Sequence, residues 1–363
     1  MTAIAIKPTG REQQWQDFFT ALLELGEDLT KGLKNKDHIR HIPLQTPESG
    51  MIIAHLAKFL KETSNELLKR YAADKLRDFV RAGDDPNQTA LNALIACKDD
   101  TTTPIVRTLL YCYSQIILAN KDPNKKAMRA LAALKDSPHT TPVSVFESCI
   151  GIYRDGTDPQ AQAAGQILLD IAKTAKSGFG EIKERCWNAY NFGGIAGDKD
   201  RHHVILKVFA ELARKDPGEH KLGLVGIYRV ILGDGKDHEN IILKSLVELS
   251  KIDDSEVRSS AAEECLTVAL SDKDHNGIAL EAFRQALCDQ ENGPELAEKA
   301  VRQLNKNPGE NAAIRNLTTA FGQAGTNPAC PEETRSIIHQ YLTQRPKDTK
   351  VNDLATTLGL HKE

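Results

Sequence analysis

The histidines and cysteines are the side chains whose type and spacing invite chemistry. His202, His203, His238 and His275 fall at the start of three apolar stretches, RHHVILKVFAELARKD, HENIILKSLVELSKID and HNGIALEAFRQALCD. Imidazoles gathered at one point would bind zinc or iron, but zinc needs every ligand within ~2.1–2.3 Å. Cys112, Cys149 and Cys186 are spaced by 37 residues. A nucleophilic thiol needs a cation or a helix N-terminus to lower its pKa. Only Cys186 has an adjacent base, Arg185, and neighbouring residues on a helix point apart. These three thiols are expected to be small core side chains. Cys330, between Ala329 and Pro331, is the expected exposed thiol. Gly193-Gly194-Ile195-Ala196-Gly197 fits neither of the glycine spacings that cradle phosphates. It reads better as a helix C-cap and connector. No catalytic residue, cofactor or metal ligand is assigned, and the chain is not expected to be an enzyme.

The elements that carry these residues repeat. Asp85-Pro86, Asp122-Pro123 and Asp158-Pro159 recur at steps of 37 and 36 residues. Asp200, Asp237 and Asp274 continue at 37, after a step of 42 that contains the glycine stretch. Apolar positions hold the same register: Leu94, Leu131 and Leu168 are 37 apart, and so are Phe209, Leu246 and Phe283. A second set of helices fills the gaps, marked by the cysteine ladder and by Tyr153, Tyr190 and Tyr228. Asp-Pro and Thr-Pro pairs read as helix starts, with Asp or Thr at the N-cap and Pro in the first turn. Helices are expected at 50–82 with a break near Thr63-Ser64, and then at 86–98, 104–119, 123–135, 142–154, 159–176 and 181–192. The series continues with 200–215, 218–233, 237–251, 254–271, 274–289, 293–306, 310–324 and 331–344. Terminal helices are expected at 11–34 and 348–360. No stretch alternates as a strand would.

One helix pair cannot cover its own apolar face, so neighbours must stack and share a core. The period, the pairing and the segment Asp254-Ser255-Glu256-Val257-Arg258-Ser259-Ser260-Ala261-Ala262 resemble HEAT and armadillo-like repeats. The resemblance covers roughly 86–344. It implies an all-α, right-handed superhelix of about seven or eight helix pairs. In this division, residues 1–85 form an N-terminal helical cap, 86–344 the array, and 345–363 a capping helix and tail. The HEAT-like iron enzyme deoxyhypusine hydroxylase gathers two irons with several His-Glu dyads. Only His238-Glu239 is similar here, which does not make a di-iron set.

The architecture implies binding. Second helices in such arrays usually line the groove. The candidate contacts there are Arg107, Arg154, Arg185, Arg229, Arg258 and Arg302, with Trp187 and Phe192 beside the long loop. Glu147, Glu181, Glu184, Glu263 and Glu264 are interspersed, so the simpler reading is a solvated mixed face. The expected function is a scaffold or adaptor for a protein segment. Alternatives are a HEAT-type enzyme or accessory subunit, nucleic-acid binding through the groove, and a microbial effector acting on a host protein. Basic residues number 47 and acidic residues 50, a net charge of −3, which disfavours a general nucleic-acid binder. The N-terminus lacks the apolar core of a signal peptide, and no apolar run approaches ~18 residues. Free cysteines then suggest a cytoplasmic setting.

Overall fold

The computed structural model describes residues 13–17, 20, 42–99, 103–192, 194–195, 200, 203–237, 239–271, 274, 276–306 and 312–344. The described residues form helices and turns, with no strand among them. The terminal helices expected at 11–34 and 348–360 lie wholly or mostly outside these residues, as do His202, His238 and His275. The chain divides into two compact units, Met1–Arg185 and Cys186–Glu363.

In the first unit α1 (Ser49–Glu62) and α2 (Glu66–Ala82) are separated by Thr63, Ser64 and Asn65, where the sequence places a break. The Asn65 side chain accepts from the Leu67 and Leu68 amides and starts α2. Then follow α3 (Thr89–Ala96), α4 (Thr103–Leu118), α5 (Lys126–Ala133), α6 (Pro142–Asp155) and α7 (Asp158–Thr174). Helix α8 (Phe179–Asn191) contains the division between the units. The second unit continues with α9 (Val204–Lys215), α10 (Lys221–Gly233), α11 (Ile241–Leu249) and α12 (Ser255–Ala269). It closes with α13 (Ile278–Ala286), α14 (Gly293–Lys306), α15 (Ala312–Thr326) and α16 (Glu332–Gln344). Odd-numbered helices are the first of each pair and even-numbered ones the second.

The first helices begin later than the Asp-Pro reading expects, for one repeated reason. After Asp85, Asp122, Asp200, Asp237 and Asp274 the chain makes a turn, and the third residue on is left-handed. Those residues are Gln88, Lys125, His203, Asn240 and Gly277, with φ of +53° to +66°. The helix starts just beyond, and the carboxylate reaches forward to its bare amides. Asp122 accepts from Ala127 N–H at 2.7 Å and Met128 N–H at 3.0 Å. Asp85 does the same for Ala90 and Leu91, Asp200 for Ile205 and Leu206, and Asp274 for Ala279 and Leu280. Asp237 accepts from Leu243 N–H at 2.8 Å. Pro86 and Pro123 therefore lie in the turn, ahead of the first helical residue. Asp158 departs from this pattern and is the first residue of α7. Here Gln160 accepts from the Thr157 amide at 2.8 Å.

The ladders read from the sequence are buried. Leu94, Leu131 and Leu168 are fully enclosed, as are Phe209, Leu246 and Phe283. Tyr113 and Tyr228 each donate to the carbonyl 19 residues earlier, Leu94 at 2.8 Å and Phe209 at 3.0 Å. This bond ties each second helix to its own first helix.

Cys112, Cys149 and Cys186 have no exposed surface. Burial pushes all three thiols far above their ordinary range and Cys265 up to about 12, so none is a nucleophile at neutral pH. The expectations for Cys330 and for uniformly free cysteines are corrected. Cys330 is buried and forms a disulfide with Cys288. The turn after α13 lies against the turn before α16, where Gln290 Nε2 also donates to the Ala329 carbonyl at 3.1 Å. Native-state alkylation should therefore label half-buried Cys97 well before Cys112, Cys149, Cys186 and Cys265. Peptide mapping without reductant should give one crosslink, Cys288 to Cys330. Fast labelling of Cys149 would move the cysteine ladder out of the core.

Candidate functional site

The sequence-derived candidates all fall on second helices or at their ends, but most of the arginines are already engaged. Arg154 pairs with Asp155 at 2.7 Å, Arg185 with Glu147 at 3.8 Å and Arg302 with Glu298 at 3.7 Å. Arg258 donates to Glu291 at 2.7 Å and to the Ile252 carbonyl at 3.0 Å, and lies 3.3 Å from Asp289. Arg229 reaches from α10 to Glu264 on α12, with Nε to Oε1 at 2.6 Å. Lys299 on α14 likewise holds Glu263 on α12. Several of these pairs link one second helix to the next and act as ties within the protein. Arg107 is exposed and carries no ion pair among the described residues.

Glu264 shows why such a tie matters. Its side chain is 4% exposed, whereas that of Arg229 is 63% exposed. A carboxylate that deep needs its partner. Arg229→Ala should cost about 2 kcal/mol, because it strands a buried charge. Arg302→Ala should cost under about 0.5 kcal/mol, because both members of its pair are in water. Urea melts of the two variants check the ordering. Equal costs would mean that Glu264 is not buried as described.

Trp187 is half-buried and stacks on Tyr190, with ring centroids 6.3 Å apart. Phe192 is 79% exposed. Its position follows from the way α8 ends. Gly194 is left-handed at φ +70°, and Ile195 N–H reaches back to the Ala189 carbonyl. That closure fits the expected helix cap, and it leaves Phe192 at an outward turn position. Gly193, Ala196 and Gly197 lie outside the described residues.

Three other large apolar side chains are exposed among the described residues: Tyr111 on α4, and Leu222 and Val230 on α10. Sequence reasoning missed them because their apolar types look like core. Tyr111 lies against Arg77 of α2, whose guanidinium is 5.1 Å from the ring centroid. Arg77 is itself fixed by Asp74 at 2.6 Å and Asp78 at 2.8 Å. Arg70 on α2 stands one 37-residue step before Arg107 and is likewise exposed.

Other features offer less chemistry. A cleft of about 300 Å³ lies between successive capping turns and is lined by Gly83, Asp85, Gln88, Asn120, Lys121 and Asp122 among others. Both of its carboxylates are committed to helix starts. The Tyr190 hydroxyl is buried and unpartnered, and burial with Asp200, Asp234 and Asp237 nearby holds the phenol well above its usual range. His203 Nε2 is 3.6 Å from Glu239. Among the described residues no group of three or more His, Cys, Asp or Glu side chains could hold a metal ion. No described helix is long and apolar enough to cross a membrane.

The described residues define an all-α fold. No protein-family model matches the chain, and no curated protein matches it. Among solved structures it is similar to a crystal structure of an engineered protein, at 14% identity over 97% of this chain and 95% of that chain, with a TM-score of 0.26. A likeness that distant carries no argument about function.

Proposed function

We propose that the chain is a helical-repeat scaffold of HEAT or armadillo-like type, a right-handed superhelix holding a segment of a partner protein against its second helices. One observation carries this reading. The exposed large apolar side chains, Tyr111, Phe192, Leu222 and Val230, lie on second helices or directly at their ends. Only 5% of the residues are aromatic, and exposed aromatic anchors are where binding energy concentrates. Apolar side chains facing water on one set of helices gain by being covered. The repeated capping turn supports the array part of the reading, because one local structure recurs at the period of the sequence. The cytoplasmic setting rests on the buried thiols, and the Cys288–Cys330 pair weighs against it.

The test compares the two sets of helices. Tyr111→Ser, Leu222→Ser and Val230→Ser should each weaken retention of a partner from the native source. Lys135→Ser and Lys215→Ser, at the ends of first helices, should not. Equal retention by all five variants would refute the assignment of the face.

A further inference from the structure

We propose that the face formed by α2, α4 and α6 is a docking site for an acidic segment of a partner polypeptide, anchored on Tyr111 and held by Arg70 and Arg107. This rests on the scaffold reading and names the chemistry of its partner. Helices α2 and α4 pack side by side and run in the same direction. Cys112 Sγ lies 3.7 Å from the Ala73 carbonyl, and at the C-terminal ends Lys121 Nζ comes within 3.2 Å of where a Cβ on Gly83 would sit. Arg70 and Arg107 are 37 residues apart and so stand level on the two helices. Packed helices lie ~8–10 Å apart, which sets the spacing of the two guanidinium stems.

Most of the carboxylates on this face are already paired. Asp74 and Asp78 are taken by Arg77, and Glu147 is taken by Arg185. Arg70 and Arg107 are exposed and have no ion pair among the described residues. Glu66, one turn before Arg70, is outside ion-pair distance. Two guanidinium groups free to donate bidentate hydrogen bonds to carboxylates select an anionic ligand.

Tyr111 supplies the anchor. Its side chain is 53% exposed, yet it rests on Arg77, whose own side chain is 12% exposed and doubly hydrogen-bonded. The ring is thus held in place before binding, so little freedom is lost when it is covered. On α6, which packs against α4, Ser148 stands one 37-residue step from Tyr111, and a Cβ on Gly151 would meet nothing within 4 Å. Small side chains beside a fixed ring leave room for an extended chain to approach. Two cations and one ring make a short site, and the neighbouring glutamates interrupt any continuous positive stripe. That favours a peptide over a nucleic acid, which needs a longer track of cations.

The test uses the full chain and three fluorescent probes. The first is a synthetic 12-residue peptide of Glu and Asp around a central Leu, the second is its Gln/Asn counterpart, and the third is a 12-nucleotide single strand of uridylate. The acidic peptide should bind, and binding should weaken as salt rises. Arg70→Glu and Arg107→Glu should each weaken it by about tenfold or more, and Tyr111→Ala by about tenfold. Lys215→Glu, at the end of a first helix, should leave it unchanged. Circular dichroism confirms that the variants are folded, and all three side chains are at the surface. The proposal fails if the neutral peptide binds equally, if the oligonucleotide binds as well or better, or if the arginine variants bind like the parent. Absence of acidic-peptide binding also refutes it. Loss of partner retention in Tyr111→Ser would still leave the broader scaffold reading standing.

Discussion

Phe321→Ala is expected to destabilise the second unit by about 3–5 kcal/mol, the usual cost of emptying a buried phenylalanine site. Phe321 on α15 is fully enclosed and meets two other rings. Phe283 on α13 stands edge-on to it at 6.0 Å, and Tyr341 on α16 lies at 5.9 Å. Removing the middle ring breaks both contacts and leaves a cavity between consecutive helix pairs. In a repeat array each unit depends mainly on its neighbours, so the damage should stay local. Hydrogen exchange should show α13 to α16 opening first, with protection of α2 to α6 unchanged. A cost under about 1 kcal/mol would mean the ring is not core. Uniform loss of protection across both units would contradict a neighbour-coupled array.

Asp200→Ala is expected to cost about 2–3 kcal/mol. Its side chain is almost fully buried and accepts from Ile205 N–H at 2.9 Å and Leu206 N–H at 3.2 Å. Alanine orphans both amides at the start of α9 and removes a negative charge from the positive end of that helix. Asp122→Ala does the same at α5 in a less enclosed place and should cost about 1–2 kcal/mol. Asn at either position keeps one acceptor and should fall between the parent and Ala. Urea denaturation of the six variants made by placing Ala or Asn at 122, 200 and 274 provides the check. No loss in the Ala variants would show that the reach from turn to helix is not made in solution.

Helix pairing and core were legible in the sequence because both are periodic. The break at Thr63-Ser64, the buried cysteine and phenylalanine ladders, and the Thr141 cap follow from spacing and side-chain type. The late start of the first helices was not legible. The left-handed turn residue is Gln, Lys, His, Asn or Gly in its five occurrences, so no residue type marks it. The arginine ties were hidden for another reason. Glu264 lies 35 residues from Arg229, and Glu291 lies 33 from Arg258, distances that become contacts only when second helices stack. Cys288 and Cys330 meet in the same way, by two turns coming together. Exposure of Tyr111, Leu222 and Val230 was the hardest feature to read, because an apolar residue on an amphipathic helix is normally a core residue.

The assignment of second helices as the binding face is tested most directly by site-specific photo-crosslinking in the native source. A photoreactive phenylalanine replaces Tyr111, Phe192 or Leu222 in turn, with Lys135 and Lys215 as control positions. The account predicts crosslinks to one common partner from 111, 192 and 222, and none to that partner from 135 or 215. Crosslinks from the two control positions, with none from the second-helix positions, would contradict it.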